Sequence, residues 1–256
     1  MQLVVFTSGI WQTTSTIVEH RGACIVVDPA YFPRELDAIA ARVRELGHAA
    51  TVVFTHGHWD HVMGHTALPG APVHVNRTLA DAIAAGDPRA ARYLEDAREF
   101  DSRWYVPRPH GHRWPAALAP IDETTRDLAG IRVRALQLPG HSPDDLALVV
   151  EDTGTLLVGD YLSPCEIPFV DDARAYRRTL DRLIDVLGEV RDVIPGHGPR
   201  MPAAEALAIA RADVEYLDRL QAATTRDAAE AIELPRARDV VGMRDHHLEN
   251  VAKLGF

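Results

Sequence analysis

The chain has 256 residues, 46% of them hydrophobic, enough for one sizeable core. Its 37 acidic and 27 basic residues leave a net charge of −10 with histidine neutral, a balance that repels phosphate backbones and counts against nucleic acid as the main partner. Two cysteines, Cys24 and Cys165, are too few for a disulfide scaffold and read as reduced thiols of a cytoplasmic protein.

The first nine residues lack the basic region of a signal peptide, and no stretch approaches the 18 apolar residues of a membrane span. Runs rich in Val, Ile and Thr at 3–7, 16–19 and 23–27 predict strands, and segments 14–20 and 23–28 flank Arg21-Gly22 as a hairpin. Pro33 opens a helix in which Leu36, Ile39, Ala40, Val43 and Leu46 recur at helical spacing, and Gly47 closes it. A strand at 51–55 runs straight into a histidine cluster, and 73–75 reads as another strand. Residues 77–105 read as helical with a break at Asp87-Pro88, followed by an irregular Pro-rich stretch at 106–120. Strands resume at 131–138, 145–151 and 154–159, the last two flanking the turn Asp152-Thr153-Gly154. A helix at 172–188, a short strand at 193–194 and helices at 202–223 and 236–253 complete the chain. The order predicts a mixed α/β layered fold in one domain, 1–256, with an insertion or cap at about 77–116 and C-terminal helices at about 202–256.

The 13 histidines cluster. His56 and His58 are alternate residues after a strand, so in extended backbone both side chains reach one ion. Asp60 and His61 follow where the chain turns into a helix and face a second ion. Further candidates stand at three later strand ends: His141 in Leu138-Pro139-Gly140-His141-Ser142, Asp160 in Leu157-Val158-Gly159-Asp160, and His197 in Ile194-Pro195-Gly196-His197-Gly198. Each motif alone is a weak signal, but in order after three separate strands they are a strong one. No nucleophile elbow, phosphate loop or dinucleotide fingerprint competes with them.

This series resembles the metallo-β-lactamase-fold hydrolases, whose signature is H-x-H-x-D-H followed by single His, Asp and His motifs, with an Asp after an early strand matched by Asp28. The resemblance covers about residues 3 to 200. It implies a four-layer αββα sandwich with the site at one edge. It implies that His56, His58 and His141 bind one metal, that Asp60, His61 and His197 bind a second, and that Asp160 bridges the two. Asp28 and Thr55 would orient the ligand loops without touching metal. The cofactors would be two Zn2+, with Fe or Mn as alternatives, and the nucleophile a hydroxide bridging the metals. Asp60 and Asp160 are the catalytic candidates, Asp60 as a ligand that also carries a proton to the leaving atom. An Asp at position 160 points to the glyoxalase II, lactonase and phosphodiesterase branches rather than to antibiotic resistance.

The implied reaction is hydrolysis of an ester, thioester or lactone of a small molecule. The alternatives are a mononuclear iron sulfur dioxygenase using His56, His141 and Asp160, and a phosphodiesterase or nuclease, which the charge disfavours. Residues 87–115 carry Tyr93, Phe100, Trp104, Tyr105, His110, His112 and Trp114. These aromatics either form an apolar substrate pocket or pack the insertion onto the sandwich. Trp104, Tyr105 and Tyr161 are the pocket candidates, and His110-Gly111-His112 is a loop feature. No membrane partner is expected. The helix around His246-His247 packs at a homodimer interface, borders the pocket, or presents a solvated face.

Overall fold

The computed structural model of the protein describes residues 1–47 and 49–253, so the last three residues of the predicted C-terminal segment lie outside the described residues. The β-branched runs pair into two six-stranded sheets. The first holds β1 (Gln2–Thr7), β2 (Thr14–His20), β3 (Ala23–Val27), β4 (Ala49–Val53), β5 (Val73–Asn76) and β6 (Ala119–Ile121) in chain order. β1 to β3 pair antiparallel and β3 to β6 parallel. The second sheet holds β7 (Thr124–Leu128), β8 (Ile131–Gln137), β9 (Leu146–Val150), β10 (Thr155–Leu157), β11 (Asp192–Ile194) and β12 (Met201–Pro202), again as neighbours in sequence order. There β10 and β11 run parallel and the other pairs antiparallel.

Parallel neighbours need helical crossovers. α1 (Pro33–Leu46) links β3 to β4, and α2 (Trp59–Val62) with a 3-10 turn at Met63–Ala67 leads to β5. α3 (Arg77–Ala85) and α4 (Pro88–Trp104) precede β6, and α5 (Ala173–Leu187) links β10 to β11. α6 (Ala203–Ala222), α7 (Arg226–Glu230) and α8 (Met243–Ala252) follow β12. None of the helices is long and apolar enough to cross a membrane among the described residues.

Alternation along the strands sorts side chains between three cores. Val18, Ile25, Val27 and Val53 meet Leu146, Leu148, Leu157 and Ile194 between the sheets. The opposite faces of β2 to β4, with Ile17, Val26 and Val52, pack on Leu36, Ile39 and Val43 of α1 and on Leu79, Tyr93 and Ala97 of α3 and α4. Val149, Leu156 and Val193 pack on Tyr176, Leu180 and Leu183 of α5 and Leu217 of α6. Both sheets are therefore apolar on both faces, which is the condition for a four-layer αββα sandwich.

The structure departs from the sequence expectations at several places. β4 ends at Val53, because Thr55 has left the first sheet: its carbonyl accepts from the Leu146 N–H of the second sheet (2.7 Å). Strand β7 was not expected. It is a polar, largely exposed strand joined to β8 through Ala129 and Gly130, both in the left-handed region (φ 53° and 77°). β12 is only two residues long and carries no periodicity. The helix expected at 236–253 starts only at Met243, because Ala237 and Gly242 hold φ of 55° and 91°.

Candidate metal centre

The sandwich brings the strand ends of both sheets to one edge. The chain bends at Thr55 and His56 after β4, and His58 (φ −60°, ψ 143°) is the N-cap of α2, so His56 and His58 precede the helix and Asp60 and His61 lie in its first turn. His141 follows β8, Asp160 follows β10 and His197 follows β11. His56, Asp60, His61, His141 and His197 are all buried, a costly arrangement for so many polar groups unless they share a purpose or a partner.

Two sets of donor atoms converge. In the first, His58 Nδ1 lies 3.0 Å from His56 Nε2 and 2.9 Å from His141 Nε2, and Asp160 Oδ2 lies 3.4 Å from His56 Nε2 and 3.3 Å from His141 Nε2. In the second, His61 Nε2 lies 3.3 Å from both Asp60 Oδ2 and His197 Nε2, and Asp60 Oδ2 lies 3.5 Å from His197 Nε2. Asp160 joins the two sets, with Oδ1 at 3.2 Å from His61 Nε2 and Oδ2 at 3.2 Å from His197 Nε2. A tetrahedral ion with ligand bonds of about 2.05 Å has ligand-to-ligand edges of about 3.3 Å, so both sets have the dimensions of a tetrahedral divalent centre.

The far sides of the rings explain their orientation. His141 Nδ1 meets the Phe169 carbonyl (3.0 Å), His197 Nδ1 the Trp11 carbonyl (3.1 Å), and His61 Nδ1 the Asp28 carboxylate (3.1 Å). His56 Nδ1 meets Thr55 Oγ1 (3.1 Å), whose own hydroxyl donates to Asp28 Oδ2 (2.5 Å). Each contact places the ring proton on Nδ1 and turns the Nε2 lone pair inward, the tautomer a metal ligand needs. Facing ring nitrogens without a cation would repel, and Asp160 Oδ1 is buried with no hydrogen-bond donor. The donor set therefore fits two cations. Gly196 makes room for it: a Cβ there would stand 2.1 Å from Asp160 Oδ1.

Electrostatics point the same way. In the metal-free protein, burial opposes charge on His141 and His197, but Asp160 outweighs it and both rings are pushed up to about 9. Burial likewise opposes charge on His61, yet Asp60 and Asp160 raise it well above the ordinary histidine value. His58 goes the other way, lowered by burial and by the neighbouring His141 and His56. Burial favours a protonated Asp60 and Asp160, but the surrounding histidines hold both carboxyls well below the usual range. Protons thus sit where cations fit.

All seven expected ligand residues come together here, and Asp28 and Thr55 stand behind them. Asp28 holds a left-handed φ of 48°, which aims its carboxylate at Thr55 N–H (2.7 Å) as well as at Thr55 Oγ1 and His61. The pocket candidates divide. Trp104 lines an aromatic groove of about 830 Å³ with Trp11, Phe32, Trp59 and Phe100. Tyr105 does not line it and projects into solvent, 92% exposed, as the left-handed C-cap of α4. Tyr161 is not a pocket residue either. It is fully buried against Tyr176, its hydroxyl 2.7 Å from the Leu138 carbonyl and accepting from His141 N–H (2.9 Å), so it fixes the His141 loop from behind. Of the insertion's aromatics, Tyr93 reaches the site, with its ring 5.1 Å from that of His58. His112 bonds Asp101 (2.7 Å) and His110 is exposed, so neither joins a metal-type cluster.

Several residues at the site had no sequence signal. Thr13 Oγ1 donates to Asp60 Oδ2 (3.0 Å), and Glu166, its carboxyl pushed up to about 7 by burial, lies 3.8 Å from His197 Nδ1. Asp144 accepts from Gly57 N–H (2.8 Å) and so ties the His56–His58 turn to the His141 loop. Two acidic residues directly behind the Gly-His-Ser-Pro run were a signal that could have found Asp144 and Asp145.

Comparison with known proteins agrees with this geometry. The chain is 32% identical over 168 residues to a hydroxyacylglutathione hydrolase of Methylococcus capsulatus (strain ATCC 33009 / NCIMB 11132 / Bath), covering 63% of this chain and 52% of that protein. It is 26% identical over 148 residues to a beta-lactamase-like protein 2 homolog of Drosophila melanogaster, covering 58% of this chain and 44% of that one. The chain thus spans about half the length of these curated relatives. Among solved structures, a metallo-beta-lactamase family protein from Thermus thermophilus shares the fold with a TM-score of 0.67 at 23% identity, over 99% of this chain and 94% of that one. Another, solved in a di-iron-bound form, is 26% identical with a TM-score of 0.58, over 79% of this chain and 96% of that one. The family profile of the metallo-beta-lactamase superfamily matches residues 8–225, a span that holds all seven donor residues, and the chain belongs to that superfamily.

Proposed function

We propose that the protein is a dinuclear zinc hydrolase of an ester, thioester or lactone. The observation that carries this reading is the pair of complete donor sets joined by Asp160. His56, His58 and His141 would hold one cation and Asp60, His61 and His197 the other, with Asp160 within reach of both. Bound there, two divalent cations would supply Lewis acidity toward a carbonyl oxygen and a nucleophilic water. The chain's own residues hold that arrangement rigid. Asp28, Thr55, Phe169 and Trp11 fix the rings from behind, and Asp144 fixes the spacing between the His56 and His141 loops. Asp60, held ionised by His61 and His197, is a ligand in this scheme and would also carry a proton to the leaving atom. A mononuclear iron site of His56, His141 and Asp160 would leave the second set without a use. The similarity to a hydroxyacylglutathione hydrolase supports acyl rather than phosphoryl transfer.

A panel of one thioester, one lactone and one phosphodiester tests the reading on the zinc-loaded full chain. Turnover is expected on the thioester or lactone and lost in Asp160→Asn. Turnover confined to the phosphodiester, or oxygen consumption with a persulfide, overturns it.

A further inference from the structure

A cavity of about 230 Å³ opens directly beside His58 and His141. Two cations line it from distant parts of the chain: Arg89 in the first turn of α4 and Lys253 directly after α8, together with Tyr93 and Asp171. Among the described residues, nothing holds the Arg89 guanidinium. Its Nε is buried without a hydrogen-bond partner, and its guanidinium makes no ion pair among the described residues. Lys253 Nζ donates to the Val170 carbonyl (2.7 Å), which leaves further N–H groups free. The carboxylates nearby do not neutralise the pair. Asp144 is engaged by Gly57 N–H at 2.8 Å and stands 3.5 Å from the Tyr93 hydroxyl, and Asp171 lines the cavity without pairing with either cation.

A buried guanidinium N–H with no acceptor is unfavourable unless something fills the place. Among the described residues, no acidic side chain closes on Arg89. We propose that Arg89 and Lys253 form a subsite for a carboxylate of the substrate, so that the enzyme acts on acyl compounds carrying a second, unreacting carboxylate near the scissile carbonyl. This rests on the hydrolase reading above. The guanidinium fork matches a planar carboxylate, and Asp171 leaves the lining with one net positive charge, which suits a monoanion better than a phosphate dianion. Placing the charged end against Arg89 and Lys253 brings the acyl group to the His58–His141 side of the centre. Arg89 and Lys253 act here in binding and orientation, not in the bond-breaking step.

The test uses the full chain with its metals and two thioesters alike except at the acyl end: glutaryl, and glutaramoyl, in which the terminal carboxylate is an amide. Wild type should favour the glutaryl form by about ten- to hundredfold in kcat/KM, mainly through KM, the range expected for charge-assisted hydrogen bonds. In Arg89→Met and Lys253→Met that ratio should fall toward one, with Arg89→Lys keeping part of it. A ratio near one in wild type, or an undiminished ratio in both Met variants, overturns the proposal. If neither thioester is cleaved, the hydrolase reading is left to the lactone of the earlier panel, and the subsite is judged separately, by calorimetric binding of glutarate. Binding lost in Arg89→Met supports the subsite, and equal binding in wild type and variant overturns it.

Discussion

At the scale of the residue, the centre is governed by which ring nitrogen faces inward. Asp28, Thr55, the Phe169 carbonyl and the Trp11 carbonyl each engage an Nδ1, so four Nε2 atoms point at the two donor sets. The inward-facing groups were legible in the sequence, because each is a His or Asp at a strand end or in the helical turn directly after His58. Half of the outward partners were not: a backbone carbonyl leaves no mark in the side-chain sequence, and Thr13 looks like any strand-leading threonine. His141 and His197, pushed up to about 9 without metal, carry protons near neutral pH, and only the neutral ring ligates. Zinc uptake should therefore release protons, and the apparent affinity should rise as pH climbs toward about 9. Calorimetry in buffers of different ionisation enthalpy measures this, and buffer-independent heats would contradict it. Gly196→Ala should expel metal as well, because the new Cβ would meet Asp160 Oδ1 at 2.1 Å and the Gly159 carbonyl at 3.0 Å. The expected loss of affinity is at least about tenfold, read as metal retained after dialysis against a chelator.

At the scale of the element, the insertion is fastened to the sandwich by one charged network. Asp101 of α4 accepts from Tyr31 Oη (2.8 Å), Arg108 Nε (2.7 Å) and His112 Nε2 (2.7 Å), while Arg108 also donates to the Tyr31 carbonyl (2.8 Å) and stacks over its ring. The sequence placed the helix and its break correctly but gave no hint of this fastening, since its partners lie up to 77 positions apart. Burial favours a protonated Asp101, yet the bonds from Arg108 and Tyr31 hold its carboxyl below the ordinary range. The stability it contributes is thus fully present above the ordinary aspartate pKa and is lost as pH falls through the lowered folded value. Asp101→Asn leaves Arg108 buried and unpaired and should cost about 3–5 kcal/mol at neutral pH, measured by denaturant unfolding. Wild-type stability in that variant would show the network to be incidental. The missed strands, β6, β7 and β12, are edge strands, β7 largely polar and exposed and the other two only three and two residues long, and the missed helix α7 has five residues. Apolar periodicity, the main sequence signal for a strand, is weak where half of the strand faces solvent or the run is so short.

At the scale of the whole molecule, two sheets stacked face to face place the ends of β4, β8, β10 and β11 at one edge. That placement joins the His56–His61 cluster and three weak single-residue motifs into one centre. The layers were legible because three cores need three sets of alternating apolar residues, and those sets are written along the strands. The substrate side was less legible: of the three pocket candidates only Trp104 lines a groove, while the cavity beside His58 is walled by Arg89 and Lys253, residues whose proximity only the fold creates. On the proposed reading, Asp160 serves two cations at once. Metal analysis of the purified full chain, expressed with ample zinc, tests it most directly. Two tightly held divalent ions per chain are expected, and a wild-type chain that retains one ion or none would overturn the dinuclear reading.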